Sequence, residues 1–398
     1  MADAWSLELI KGIGKLFLNP LTYWIVILLV LAGLRRTRRE RINFGSKISD
    51  VFSECKGTWL TSLVAGLLIS GICIGVGLVF TYETLALLCI VTILLSIALR
   101  FTMLSPSYTI GFTLFILLFM PTVIDNQSYF NADLFSEINF TGVSLLIGLF
   151  LFVEAGVTHG VRKNQSFPDL QLSSRGKWFG FHHIKKLSVI PFFTLVPSGL
   201  ITPFAAYWPS VSLDGESYGL ILFPFIVGFD HTVKSVIPEI AAQKLGKQIY
   251  LLGTIVLCIA IGSIYMWSLS IVAAVVAIIG REYITYRHRG MERKRQSLFN
   301  RNHRGLSIIA IKPHTPAERL DINIGEIVSK VNGQPVQDVE EFYYYLQKSG
   351  AFFKLEVLDL AGEVRLIQSA LYQNDHHELG LVFVKERYHS SEKIKKVK

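Results

Sequence analysis

Charge is what this 398-residue chain has least of: 17% of its residues are Asp, Glu, Lys or Arg, against 51% hydrophobic, with a mean hydropathy of +0.44. Soluble domains carry about 25% charged residues, so side chains that face water are in short supply here. The shortage is local. Residues 17–280 hold repeated apolar runs near or above the ~18 residues that cross a bilayer, while 281–398 has ordinary soluble composition. Cysteine is scarce too. Cys55, Cys73, Cys89 and Cys258 lie in or beside apolar runs without CxxC or Cys/His spacing, which excludes a zinc or dithiol motif and leaves them as small packing residues. No short apolar stretch ending in a small-residue cleavage site opens the chain, so no cleaved signal peptide is expected.

Catalytic signatures are also missing. A membrane zinc protease needs HExxH, two imidazoles one helical turn apart with a glutamate base. "HELGL" at 377–381 puts Leu381 where the second histidine belongs. "GVSLL" (142–146) and "PSGL" (197–200) lack the GxSG turn of a buried serine nucleophile, and "FHHIKK" (181–186) has a poor ligand spacing. With no GxGxxG, Walker or kinase set either, the expectation is a protein that is not an enzyme and needs no cofactor or metal.

What is present is a run of candidate spans at 17–34, 58–80, 82–104, 107–124, 138–157, 188–206 and 217–233, then a 32-residue stretch at 249–280. As one helix that stretch would reach about 48 Å, against about 30 Å of hydrocarbon. It is either a hairpin turning near Trp267-Ser268 or a tilted helix that runs on, so the count stands at seven to nine. Residues 4–16 read as an amphipathic segment lying on the membrane.

The formal net charge of +9 is concentrated beside the spans. Arg35, Arg36, Arg38, Arg39, Arg41 and Lys47 follow the first. Arg281, Arg287, Arg289, Arg293, Lys294, Arg295, Arg301 and Arg304 follow the last, and Lys393, Lys395, Lys396 and Lys398 close the chain. Such flanks set orientation and attract anionic lipid; Arg35, Arg36, Arg38, Arg39, Arg293, Lys294 and Arg295 are the expected membrane-surface set. No nucleic-acid recognition fold accompanies the charge, so nucleic acid is set aside as a partner. The basic loops 35–47 and 158–187 and everything after 281 should be cytoplasmic, the Lys/Arg-free loops 124–139 and 208–217 outside. Pro191, Pro197, Pro203 and Pro224 interrupt two spans. Glu154, His159, Asp230 and His231 sit near span ends, where a relay or a helix-end acid facing a basic loop both fit.

From Gly305 the period changes. "GLSIIAIKP" (305–313) reads as a strand, and "TPAERL" opens a short turn with Thr315 as cap and Pro316 at its first position. Gly325 precedes the strand 326–331, Asn332-Gly333 a tight turn. Asp338 caps a helix at 339–348 ended by Gly350, strands 352–360 and 363–372 pair through Ala361-Gly362, and 379–384 is the last strand. The triple "YYY" at 343–345 cannot face one side, because neighbours on a helix point about 100° apart.

This order, with "HTPAERLDINIGEIVSKVNGQPV" at its centre, resembles a PDZ domain of the bacterial type over about 85 residues. Leu320-Asp321-Ile322 stands where that family has Ala-Gly-Leu, which should loosen the turn. The resemblance implies that a partner's extended segment adds to a sheet edge beside a helix. It further implies a circularly permuted layout. Leu379, Gly380 and Leu381 would form the carboxylate loop, Val382, Phe383 and Val384 the groove strand, and Phe342, Tyr343 and Leu346 the groove wall. The alternative is that 379–384 is merely a closing edge strand and that the module docks on the chain's own membrane domain.

The full layout is an α-helical polytopic membrane bundle of about 7–9 spans followed by a small α+β PDZ domain. Its expected boundaries are 1–286 for the membrane domain, 287–303 for a basic linker, 304–388 for the PDZ domain and 389–398 for a basic tail. With "LFLNPLTYW" (16–24) and the Arg-rich loop after it, the chain resembles the MinJ family of Gram-positive rods. That resemblance implies a membrane adaptor of cell division at septum and poles, linking a DivIVA-type scaffold to MinD beside other divisome membrane proteins. Self-association into a homo-oligomer is left open. A transporter with a regulatory PDZ domain and a substrate-presenting regulator of a membrane protease are the alternatives.

Overall fold

A computed structural model describes residues 2–125, 138–173, 176–204, 208–209, 217–300, 303–348, 350, 352–370 and 379–384. The expected outer loop 124–139, most of 208–217, the end of the strand 363–372 and the basic tail fall wholly or largely outside them. Helices α1 (Ala2–Leu16), α2 (Pro20–Phe44), α3 (Trp59–Val76), α4 (Tyr82–Ser96), α5 (Pro106–Asp125) and α6 (Phe140–His159) come first. Strands β1 (Phe167–Leu172), β2 (Trp178–Ile201) and β3 (Tyr218–Val233) follow, then α7 (Pro238–Gly262) and α8 (Ser268–Lys294). Among the described residues six helices, α2, α3, α5, α6, α7 and α8, are long and apolar enough to cross a membrane.

Two expected spans are therefore corrected. Residues 188–206 and 217–233 do not form helices; they lie in the antiparallel ribbon β2–β3, paired from His182↔Val233 to Pro197↔Tyr218. Its apolar portion, 187–196 against 219–228, extends about 33 Å, enough to match a hydrocarbon layer. Open strand edges are costly in an apolar medium because unpaired N–H and C=O groups have no water to turn to. α3 and the segments on either side of it supply partners instead. Phe193 N donates to Ser70 Oγ (2.8 Å), Leu187 N to Glu54 O (3.1 Å), and Phe80 N to Leu195 O (2.9 Å). On the far edge Leu220 N donates to Glu8 Oε2 of α1 at 3.3 Å, so residues 4–16 clamp the ribbon rather than only lie on a surface.

On β2 these bonds come from odd-numbered residues and on β3 from an even-numbered one that faces them, and Pro191, Pro197 and Pro224 fall in the same register: Pro191 faces Pro224 and Pro197 faces Tyr218. A proline there has no ladder bond to lose. On α3, Thr58, Ser62, Gly66 and Ser70 recur every four residues and so share one face, which meets β2. A Cβ on Gly66 would run into the Pro191 carbonyl.

The remaining helices pack by close approach. α6 is the most enclosed, with 72% of its spanning window buried. Gly148 and Ala155 of α6 face Leu257 and Gly246 of α7, the small-residue contact that lets membrane helices meet closely. α7 and α8 form the hairpin expected as one option for 249–280, turning at 263–267. The first Arg-rich segment is not a loop. α2 runs through it to Phe44, opened by Asn19, whose Oδ1 accepts from Leu21 N, and closed by Gly45 at φ 78°. Likewise α8 continues to Lys294, through the start of the expected linker.

The C-terminal unit consists of β4 (Leu306–Ile311), a 3-10 turn at Pro316–Arg319, β5 (Ile327–Val331), β6 (Gln334–Pro335), α9 (Val339–Lys348), β7 (Phe352–Leu358), β8 (Val364–Ala370) and β9 (Leu381–Phe383). Its sheet order is β8-β7-β5-β4-β9, with β6 on β5. Asn332 (φ 51°) and Gly333 (φ 82°) both take the left-handed conformation that the tight turn requires. Thr315 makes no cap bond; its hydroxyl donates to Lys312 O. The turn at 320–322 is pinned, not loose: Ile322 is buried, and Arg365 binds Asp321 (Nη1–Oδ2 3.2 Å) and Glu326 (Nη2–Oε1 2.9 Å).

Candidate functional site

β9 is short, but everything around it fixes its place. It pairs antiparallel with β4 through Ile308↔Phe383 and Ile311↔Leu381, and among the described residues it forms the edge of the sheet. Before it, Gly380 adopts φ 93°, its carbonyl accepting from Lys312 N at 2.9 Å. A Cβ there would collide with Thr315, so this glycine is required by both conformation and space. Phe342 of α9 meets Phe383 edge to face, ring centroids 4.9 Å apart.

The nine residues expected to read a peptide are thus gathered around one strand edge and one helix, but the arrangement is tightly closed. Leu379, Gly380, Leu381, Val382, Phe383, Val384, Phe342 and Leu346 are all buried; Tyr343 alone of the nine keeps some exposed surface. Phe342 and Leu346 belong to the PDZ core with Leu381 and Phe383. Of the three tyrosines, Tyr344 is the exposed one, at 61%.

Val382 and Val384 point the other way. With Ile309, Ala310 and Ile324 they enter a second cluster containing Phe44, Ile48, Leu170 and Phe299. The outer face of β4 and β9 is therefore docked on the polar end of the membrane domain. The connection is clamped there as well: Gly180 N donates to Phe299 O (2.8 Å), Leu298 N to Lys234 O (2.7 Å), and Ser297 Oγ to Gly180 O (2.9 Å). Glu292, at the end of α8, accepts from Lys234 N, Ser235 N and Ser235 Oγ. Lys163 reaches across to Asn323 Oδ1 at 3.1 Å.

Beneath the PDZ unit lie three ionic networks. Arg36 binds Glu54 and Glu40 (Nε–Oε1 2.9 Å, Nη1–Oε1 2.9 Å) and the carbonyl of Asp50, and stacks on Phe167. It is 8% exposed, so this one of the seven expected membrane-surface cations is interior; the others are exposed. Glu40, four residues on, is the signal that marks the pair in the sequence. His183 bridges Asp230 (Nδ1–Oδ1 2.9 Å) and Asp169 (Nε2–Oδ2 3.7 Å) at the polar end of the ribbon, beyond its apolar portion. Burial alone would lower the His183 pKa, but the two carboxylates outweigh it and raise it to about 9.

The third network corrects Arg281, read from the sequence as part of a basic flank. It is 1% exposed inside α8, pairing with Glu154 of α6 at 2.7 Å and meeting His231 Nε2 at 3.2 Å; Ser105 donates to the other Glu154 oxygen. Glu154 and His231 thus come together, Asp230 joins His183, and His159 stays apart at the end of α6 against Gln243 O. No distinctive pattern in the sequence marks Arg281 as interior. A cavity of about 610 Å³ opens beside these networks, lined from α2, the 3-10 turn Phe101–Leu104, β1, β2, β3 and α8. Among the described residues no cluster of His, Cys, Asp or Glu could hold a metal ion.

The PDZ domain family matches residues 307–358. Along 393 residues, 97% of both chains, the sequence is 31% identical to the cell division topological determinant MinJ of Bacillus subtilis (strain 168). It is also 32% identical over 82 residues to the probable cell division topological determinants MinJ of Lacticaseibacillus paracasei and Lacticaseibacillus casei (strain BD-II), covering 21% of this chain and 22% of each of theirs.

Proposed function

This chain belongs to the MinJ family of cell division topological determinants, and on that premise we propose that it is a non-catalytic membrane adaptor in division-site selection. It ties a DivIVA-type polar and septal scaffold to MinD, with other divisome membrane proteins as further contacts. The observation that carries this is the match along the whole chain, membrane domain and PDZ unit together, to a protein that determines division topology. The exposed cations Arg35, Arg38, Arg39, Arg293, Lys294 and Arg295 cluster toward the PDZ end, which supports a cytoplasmic PDZ domain in a multi-pass protein. Confinement to one membrane raises the effective concentration of partners that share it.

A partner segment adds to the β9 edge of the sheet, in the manner of other PDZ domains, with Tyr343 at the rim and the closed Phe342–Phe383 contact behind it. The test is a fluorescent fusion in a rod-shaped host lacking its own relative, scored for position and cell length. Septal and polar rings with normal cell length are expected. Tyr343→Ala, at the partly exposed rim position, should weaken the rings while the protein still accumulates in the membrane. An even membrane distribution, with cell length indifferent to loss of the protein, overturns the reading.

A second reading, a transport path, draws on the cavity beside the buried Glu154. Arg281 and Ser105 already engage both oxygens of that carboxylate, which fits a structural pair better than a relay. Proton flux in liposomes that is abolished by Glu154→Gln would reverse that preference.

A further inference from the structure

The cavity at the polar end of the membrane domain is lined by six Arg or Lys side chains and four carboxylates. All four carboxylates are engaged. Glu40 holds Arg36, Asp169 holds Asn43, Asp230 holds His183, and Glu282 accepts from Tyr108 Oη at 2.7 Å. The cations are not matched in the same way. Arg36 is committed and Arg39 comes only to 4.0 Å from Asp169. Arg35, Arg100, Arg289 and Lys185 make no hydrogen bond or ion pair with any described residue.

Lys185 is the most telling of these. It is half-buried, its ammonium sitting 4.0 Å from the Phe101 ring centroid. Asp230 lies directly opposite on β3, and it and Glu54 attract the ammonium from a distance, but Asp230 Oδ1 is taken by His183 and neither carboxylate forms a close ion pair with Lys185. An ammonium carries three donors and no acceptor, and burying it without an oxygen partner is unfavourable. A half-buried lysine with three exposed arginines around it is a set of unspent donors facing a polar cavity. The ligand that answers such a set is an anion with several oxygens, above all a phosphate, which arginine forks and lysine bind well.

The surroundings indicate the source of the phosphate. Arg35 follows Leu31 and Leu34 on α2, and Arg100 follows Leu94 and Ile97 at the end of α4; these four apolar side chains are 45–61% exposed. The cation-rich cavity thus lies at the end of exposed apolar helix surface. We propose that the cavity seats the phosphate of an anionic phospholipid headgroup, with Lys185 in its wall, Arg35, Arg100 and Arg289 around it, and the acyl chains along α2 and α4. The site is independent of the division role and would stand without it.

Native mass spectrometry of the purified full-length protein, released from mixed micelles holding equal phosphatidylglycerol and phosphatidylcholine, tests it. Wild type should retain phosphatidylglycerol in preference. Arg100→Gln with Arg289→Gln should lower that retention at least tenfold, since a single charge-assisted bond is worth ~1.5–3 kcal/mol and 1.4 kcal/mol is tenfold. Both residues are exposed, so this variant should fold even if Lys185→Gln does not. Lys244→Gln with Lys247→Gln, exposed cations of α7 outside the cavity lining, should leave retention unchanged. Equal loss in both double variants, or no lipid preference at all, overturns the proposal. Displacement of the lipid by millimolar inorganic phosphate would assign the site to free phosphate and overturn the lipid.

Discussion

The described residues contain two β-structures that solve opposite problems. The ribbon β2–β3 runs among membrane helices, and its apolar side chains face both sides; from 187 to 197 none is fully exposed. In the PDZ sheet β7 alternates strictly, with Phe353, Leu355 and Val357 buried between exposed or half-exposed neighbours. Water satisfies the backbone of a sheet edge, so the PDZ sheet can leave β8 and β9 as edges. In an apolar layer each edge group needs a protein partner, which is why Ser70, Glu54 and Glu8 meet the ribbon. Alternation in sequence is therefore a sign of a strand only where one face meets water.

The largest expected effect on this contrast comes at the ribbon's polar end. Arg281→Leu leaves Glu154 buried and unpaired and should cost about 3–5 kcal/mol, read as lost thermal stability in detergent. Adding Glu154→Gln should recover part of it, whereas the PDZ unit, tested by protease resistance, should be little altered. Next, Ile190→Pro removes a ladder donor of β2 and should cost about 3 kcal/mol, while Pro191→Ala, one residue on, should be nearly neutral. Equal effects from the two would break the assignment of backbone parity.

Ser70→Ala strands the Phe193 N–H and should cost about 1–3 kcal/mol. In the PDZ sheet, Gly333→Ala meets no side chain but sits at φ 82°, so about 1 kcal/mol is expected from conformation alone. A further effect is on pH. His183 has a folded pKa of about 9 against an ordinary 6.5, so the stability it lends is complete below about 6.5 and fades as pH rises through about 9. His183→Gln should flatten that slope in thermal melts taken from pH 6 to 9.5.

Much of the PDZ unit is legible because its signals are local. Asn332-Gly333, Gly325 and the apolar positions of 339–348 each dictate a turn or a face without reference to distant residues. The ribbon was not legible in the same way. An apolar run broken by Pro191 and Pro197 suits a kinked membrane helix as well as a strand, and only the parity of its partners decides between them. One clue did lie in the sequence: Thr58, Ser62, Gly66 and Ser70 make a small, polar stripe at helical spacing. A stripe shows that something approaches closely, but not what. In the candidate peptide site, residues 379–384 could be singled out by their pattern. Their enclosure could not, because it comes from Phe44, Ile48, Leu170 and Phe299, all remote in sequence.

By itself the sequence determined the two-part division of the chain, the position of most membrane helices, the PDZ element order and the placing of positive charge beside the spans. Composition and short-range periodicity carry all of that, since each reports how a segment meets its solvent. Tertiary structure decided which apolar runs became strands, which arginines left the surface, and that the outer face of β4 and β9 rests on the membrane domain. Each of those depends on whether a distant partner can satisfy a backbone edge, balance a buried charge or cover an apolar face, and no local pattern encodes that partner.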